Sequence, residues 1–215
     1  INPEMPNVVK TNPRYSMSQI RGGAAPARSL DVPGEMIGPH GTRLQRDGAG
    51  WTIEMYAKLG GADDTGALFS YDVGEGYQYR LGIDNGIPEI MFTDTALTPR
   101  ILTAGAQNID DGDWHYLAAT WDPAEERLSL YVDNLSYTVT TEDWDSGAVS
   151  PVGGSGVAVI AEDLTDVRVD EIRVWNTALD SETLATQKSR MVQAGTAALA
   201  AYYRFDDGGQ SAEDF

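Results

Sequence analysis

Residues 114–121 read WHYLAATW, and their apolar character alternates. Leu117, Ala119 and Trp121 fall on one side of an extended chain, with Trp114, Tyr116, Ala118 and Thr120 on the other. Side chains of a strand point to opposite faces with a period of two, so the run predicts a strand with an apolar face. Residues 128–132 repeat the pattern, with Leu128, Leu130 and Val132 against Ser129 and Tyr131. Between the runs lies Asp122-Pro123-Ala124-Glu125-Glu126. Pro123 presets the backbone for a turn and Asp122 can bond its own backbone, so a hairpin is expected. Asp133-Asn134 then marks a second turn before Leu135–Thr140, which extends the hairpin into a meander.

The same reading places further strands at Ser29–Val32, Trp51–Leu59, Ala67–Asp72, Tyr77–Asp84, Pro88–Thr93 and Arg100–Thr103, and then at Val157–Ala161, Val167–Trp175 and Leu199–Phe205. Asp84-Asn85-Gly86 is a hairpin turn, because Asn-Gly enters positive φ readily. One helix is expected near the C-terminus. Asp180 or Ser181 caps it, Leu184, Met191 and Val192 form a partial stripe, and Gly195 closes it. About a dozen short strands with one short helix predict an all-β fold, an antiparallel sandwich or barrel. The 215 residues suit one large β domain. Residues 1–28, with Pro3, Pro6, Pro13, Pro26 and a Gly-Gly pair, read as an extended arm or linker.

Within Val167–Trp175, Asp170, Ile172 and Val174 share parity. The alternation therefore turns Asp170 toward the core, where a carboxylate needs backbone donors or a cation. Trp51, Trp114, Trp121 and Trp175 read as packing residues rather than sugar-stacking platforms.

Composition narrows the partners. At 41% hydrophobic the chain can bury a sizeable core, and its formal charge is −18. Residues 1–30 carry a net +3, leaving 11 basic and 32 acidic residues beyond them. Such a surface repels phosphate, which argues against nucleic acid and anionic membranes and attracts cations. Cysteine is absent, so there is neither a disulfide framework nor thiolate chemistry. No stretch approaches the roughly 18 apolar residues of a membrane span, so membrane insertion is not expected. Opening at Ile1-Asn2-Pro3, the chain is expected to be a mature or excised segment.

The order of several segments is informative. WTIEMYAKL (51–59), ALFSYD (67–72), DWHYLAATWD (113–122), ERLSLYVDN (126–134), VDEIRVWNTALDSETL (169–184) and AAYYRFDDG (200–208) occur in sequence. This order resembles that of the LamG-like jelly rolls, the concanavalin A-like domains of laminin G modules, pentraxins and many bacterial surface proteins. The resemblance implies an antiparallel jelly-roll β-sandwich over residues 29–208, preceded by the arm at 1–28 and followed by the start of a C-terminal connection at 209–215.

The resemblance extends to glucanases, whose catalytic carboxylates share one strand. Their E-x-D-x-x-E strand motif is absent, since no glutamate here has an aspartate two residues later. The two histidines are His40, in a Pro-His-Gly loop, and His115, in the hairpin; the latter reads as structural. There is no phosphate loop and no zinc pattern. Enzyme activity is therefore not expected, and a glycoside hydrolase with unfamiliar carboxylates is the last alternative. Calcium takes six to eight oxygen ligands, often from loops. Resemblance to pentraxins implies a calcium set of Asp72, Glu162, Asp163 and Asp166, although Asp72-Val73-Gly74-Glu75 lacks the Asp-Asn pair of that family and the acidic loop is shorter. A second family-like calcium would use Asp31 and Asp170, and the plain alternative is a solvated acidic rim.

The resulting expectation is a non-catalytic extracellular recognition or adhesion module of a larger cell-surface protein, binding glycan or protein ligands, with calcium as a candidate cofactor. The alternative is a structural repeat of a stalk or filament, assembled end to end through the N-terminal arm, whose partners would be neighbouring domains or copies of the same protein.

Overall fold

Alternating strands of this length must each bury one face, and the chain does so in two stacked antiparallel sheets. The computed structural model describes residues 30–32, 36–37, 44–46, 49–60, 64–140, 143, 149–193 and 195–205. The expected arm (1–28), the His40 loop and the C-terminal connection (209–215) lie outside them, as does the side chain of Asp31. Among the described residues the strands are β1 (Leu30–Val32), β2 (Met36–Ile37), β3 (Trp51–Leu59), β4 (Gly66–Asp72), β5 (Tyr77–Asp84), β6 (Ile87–Thr93), β7 (Pro99–Thr103), β8 (His115–Asp122), β9 (Arg127–Val132), β10 (Leu135–Thr140), β11 (Val157–Glu162), β12 (Val167–Trp175) and β13 (Leu199–Tyr203). Helix α1 spans Ser181–Gln187. The larger sheet runs β1-β12-β3-β8-β9-β10, with β13 also paired to β12; the smaller runs β2-β11-β4-β5-β6-β7. This is a jelly-roll β-sandwich.

Register explains where the core lies, because residues directly opposite each other on paired strands share a face. In the smaller sheet one lateral row is Ile160, Phe69, Leu81, Ile90 and Leu102. Its counterpart in the larger sheet is Ala201, Val174, Ile53, Ala119, Leu130 and Tyr137. All of these pack in one hydrophobic core. Aromatic contacts bridge the layers: Trp51 of β3 meets Tyr79 of β5 at 5.4 Å, and Phe92 of β6 meets Trp121 of β8 at 5.0 Å between ring centroids. Trp51, Trp121 and Trp175 are buried, and Trp114 is half-buried. The hairpin of residues 114–132 is therefore the middle of the larger sheet, with Leu117, Ala119 and Trp121 turned inward.

The outer side of the larger sheet is closed by its own chain. Asp180 caps α1 by accepting from Thr183 N, and Leu184, the buried residue of the helix, sits with Tyr56, Tyr116 and Ala118. The helix ends at Gln187, earlier than the stripe through Met191 predicts, and Met191 is 67% exposed. A seven-residue helix has little stability of its own. Its C-terminal carbonyls are held instead: Arg173 donates to Gln187 O (3.3 Å) and Arg190 O (2.9 Å), and Tyr56 Oη to Lys188 O (2.8 Å).

Two further departures have local causes. Strand β2 is two residues long, too short for any periodicity to announce. A bulge between Asp170 and Arg173, with Glu171 at φ 53°, breaks the alternation of β12. Asp170 consequently stands opposite Tyr56 on the outer side, rather than beside Ile172 and Val174 in the core. It is buried there, and its Oδ1 accepts from Glu171 N at 2.7 Å.

Candidate functional site: a polar trough on the smaller sheet

Helix α1 covers the β12–β3–β8 part of the larger sheet's outer side, and the outer face of the smaller sheet carries a row of mixed character. One lateral row crosses all six of its strands: Ile37, Val159, Ser70, Arg80, Met91 and Ile101. Exposure along it falls from 53% at Ile37 to 8% at Val159 and zero at Ser70, then returns to 47% at Ile101. The middle of the row is shielded and carries Ser70 and Arg80, and its two ends are exposed and apolar; we call this band the trough.

Bulges aim the central side chains. The register shift between Tyr71 and Asp72 makes Gln78 an extra residue in β5, and Gln78 is buried by accepting from Arg46 N and donating to Val152 O. Tyr77 is thereby turned out of the alternation that buries Tyr79, and its Oη donates to Glu162 Oε1 at 3.0 Å. Ser70 Oγ donates to the other oxygen of the same carboxylate at 3.2 Å. Burial, followed by the neighbouring Glu162, pushes the Tyr77 phenol up to about 12, so it remains a protonated donor.

Beside this group, Arg80 of β5 forms an ion pair with Glu89 of β6, and its guanidinium lies 5.9 Å from the centroid of the Tyr77 ring. The pair is mostly shielded, with side chains 14% and 13% exposed. Gly82 makes room for it: a Cβ added there would stand 2.7 Å from Arg80 Nη1 and 2.7 Å from Gly66 O. The glycine in mid-strand is thus required by the Gly66 carbonyl, which cannot shift as a side-chain end can, and the same space admits the guanidinium. The trough therefore offers a fixed carboxylate, an oriented phenol, a clamped guanidinium and a second carboxylate in contiguous order.

Glu162, Ala67, Gly82 and Glu89 form one lateral row, so the two glutamates are three strands apart. At about 4.8 Å per strand their backbones are separated by roughly 14 Å. Tyr77 and Arg80 lie between them, the first bonded to Glu162 and the second paired with Glu89.

The expected calcium set does not converge. Asp72 pairs with Val157 and Glu162 with Ala67, so they occupy opposite ends of the β4–β11 ladder. Five residues of strand separate them, roughly 17 Å. The Asp72 carboxylate instead accepts from Gly74 N in its own turn, at 2.7 Å. Asp163 and Asp166 are exposed in the β11–β12 loop, both at left-handed φ, and the Asp166 carboxylate packs against Gly60. Among the described residues no three His, Asp or Glu side chains are grouped to hold a metal.

His115 is a structural pin. Its Nδ1 lies 2.9 Å from Asp133 Oδ2 and its Nε2 3.0 Å from Asp111 Oδ1, while Asp133 Oδ1 accepts from Tyr116 N. The bond to Asp133, reinforced by Asp111 against the opposing effect of burial, raises the imidazole pKa to about 9. A histidine held as a cation by two carboxylates is a poor general base.

The sequence as a whole now has a place among known proteins. The family profile described as the concanavalin A-like lectin/glucanases superfamily matches residues 38–185. The chain belongs to that superfamily. No curated protein matches it. Among solved structures it is similar to the binding domain of Paraclostridial Mosquitocidal Protein 1, at TM-score 0.66 and 9% identity over 85% of this chain and 46% of the other. It is also similar to the heptameric SAP-like pentraxin of Limulus polyphemus, at TM-score 0.56 and 16% identity over 74% of this chain and 80% of the other. A third is a candidate carbohydrate-binding protein from Bacteroides ovatus, at TM-score 0.52 and 17% identity over 75% and 46% respectively. At these identities the likeness is one of fold. The chain spans about half the length of the toxin binding domain, 46%.

Of the trough residues, only Glu162 was singled out by the sequence, and for a different role. Ser70, Tyr77, Arg80, Gly82 and Glu89 come from three strands and meet only through register. Their one signal was polar outward positions and a mid-strand glycine in otherwise apolar runs.

Proposed function

We propose that this superfamily member is a non-catalytic carbohydrate-recognition module of a larger extracellular protein, with the trough as its combining site. The observation that carries the reading is the Tyr77–Glu162 pair on this face, which the buried Ser70 helps to fix by a further hydrogen bond. Sugar hydroxyls are read by donors and acceptors held in place before the ligand arrives, since ordering them on binding would weaken it. The Tyr77 ring adds an aromatic surface for the C–H side of a pyranose, and Arg80 supplies planar donors. The Bacteroides ovatus neighbour is described as a candidate carbohydrate-binding protein and the mosquitocidal-protein neighbour as a binding domain, which supports a binding role for a module of this fold. In this reading the sugar meets the trough carboxylates and Arg80 directly, without calcium.

A glycan array probed with the native chain and with Tyr77→Ala, each in calcium and in chelator, tests this. Binding to a defined group of glycans that is independent of calcium and lost in the variant is expected. Silence of the native chain under both conditions would remove the reading.

A further inference from the structure

We infer that the trough takes uncharged glycans, and that Glu89, by occupying Arg80, is the residue that turns sugar carboxylates away. The inference rests on the trough being a glycan site and specifies its ligand class.

A guanidinium on a sugar-binding face is ordinarily the group that would receive the carboxylate of a sialic or uronic acid, because the planar fork matches a carboxylate bidentately. Here one arm of that fork, Nη1, is already paired with Glu89 Oε1. Counting Glu162, the centre of the trough holds two carboxylates and one guanidinium, a net charge of −1 on a chain whose formal charge is −18. To engage the fork through Nη1, an anionic sugar would have to displace Glu89 from a shielded ion pair and leave it unpaired; bound to the rest of the guanidinium, it would lie close to the Glu89 carboxylate. Removing one partner of such a pair is strongly unfavourable, and like charges at a recognition face are an effective means of exclusion. A neutral sugar meets none of these obstacles. Its hydroxyls can donate to Glu162 and Glu89 and accept from Arg80 without breaking the pair. Gly82 contributes by leaving room for the guanidinium beside its own cross-strand partner, Glu89.

The experiment compares immobilised neutral oligosaccharides (gluco-, xylo- and manno-configured) with sialylated and uronate-containing ones. The full chain is used as native protein and as Glu89→Gln, with Glu125→Gln in the remote β8–β9 turn as a control for net charge. Thermal melts establish that each variant is folded. The native chain is expected to bind neutral glycans at least 10-fold more tightly than anionic ones. Glu89→Gln should gain 10-fold or more for anionic glycans, with the gain diminishing at high salt, and Glu125→Gln should gain less than 2-fold. Native protein that binds anionic glycans as well as neutral ones, with Tyr77→Ala abolishing both, would overturn the inference while leaving the trough as the combining site. A neutral-selective native protein whose Glu89→Gln variant gains nothing would overturn the role of Glu89. If no glycan of either class binds, the site itself falls, and the inference with it.

Discussion

Glu54 and Arg173 face each other across β3 and β12 on the outer side of the larger sheet, 3.4 Å apart and sealed from water. Glu54 also receives Trp175 Nε1 at 3.0 Å and Tyr116 Oη at 2.5 Å, while Arg173 reaches the carbonyls behind α1. Burial would lower the Arg173 pKa, but Glu54, Tyr202 and Glu171 together outweigh it, so the group stays charged. Its task is to attach a short helix to a sheet.

Breaking this pair leaves an uncompensated buried charge. Glu54→Ala is expected to destabilise the fold by about 3–5 kcal/mol, measured as a shift in the urea midpoint. Arg173→Met should in addition make the chain near residues 187–190 susceptible to limited proteolysis. An unchanged cleavage pattern would show that other contacts hold the helix.

His115 links stability to pH. Its folded pKa of about 9 lies above the ordinary 6.5. The pin's contribution is therefore complete below about 6.5 and disappears as pH rises through about 9. Asp111 and Asp133 are well exposed, so screening limits the effect to about 1–2 kcal/mol. Urea midpoints of native protein and His115→Gln should differ at pH 6 and converge by pH 10; a constant difference would contradict the charged-imidazole account.

Glu162 separates a protein-bonded carboxylate from a calcium ligand. Glu162→Ala strands the Tyr77 and Ser70 hydroxyls and should lower stability by about 1–3 kcal/mol, equally in calcium and in chelator. A loss confined to calcium-containing buffer would restore the metal-ligand role.

Gly82→Ala places a methyl group where Arg80 Nη1 and Gly66 O stand. Overpacking of this kind destabilises by about 1–3 kcal/mol. Because it displaces the guanidinium, glycan affinity should fall several-fold in protein that remains folded. Calorimetric titration below the melting transition checks this.

Much of the fold was legible because long alternating runs leave no choice of face. Trp51–Leu59 and Val167–Trp175 were bounded by alternation and turn residues alone, and the structure has those same bounds. Asn85 and Gly86 both adopt positive φ at the β5–β6 turn, as the dipeptide predicts. What alternation cannot reveal is where it breaks. The bulge at Glu171 moved Asp170 to the other face, and the one at Gln78 turned Tyr77 outward. The end of α1 was misplaced for a related reason: tertiary bonds from Arg173 and Tyr56, not an apolar stripe, terminate the helix. The trough was the least legible feature, because Ser70, Tyr77, Arg80 and Glu89 become neighbours only once strand order is known.

The central claim is that the outer face of the smaller sheet, not the loop rim, meets the glycan. Amide chemical-shift mapping by NMR, with a bound neutral oligosaccharide identified from the array, tests it most directly. Shifts concentrated at Ser70, Tyr77, Arg80, Gly82 and Glu89 are predicted. Shifts confined to the loops at 73–76, 94–98 and 163–166, with the β4–β6 amides unmoved, would contradict it.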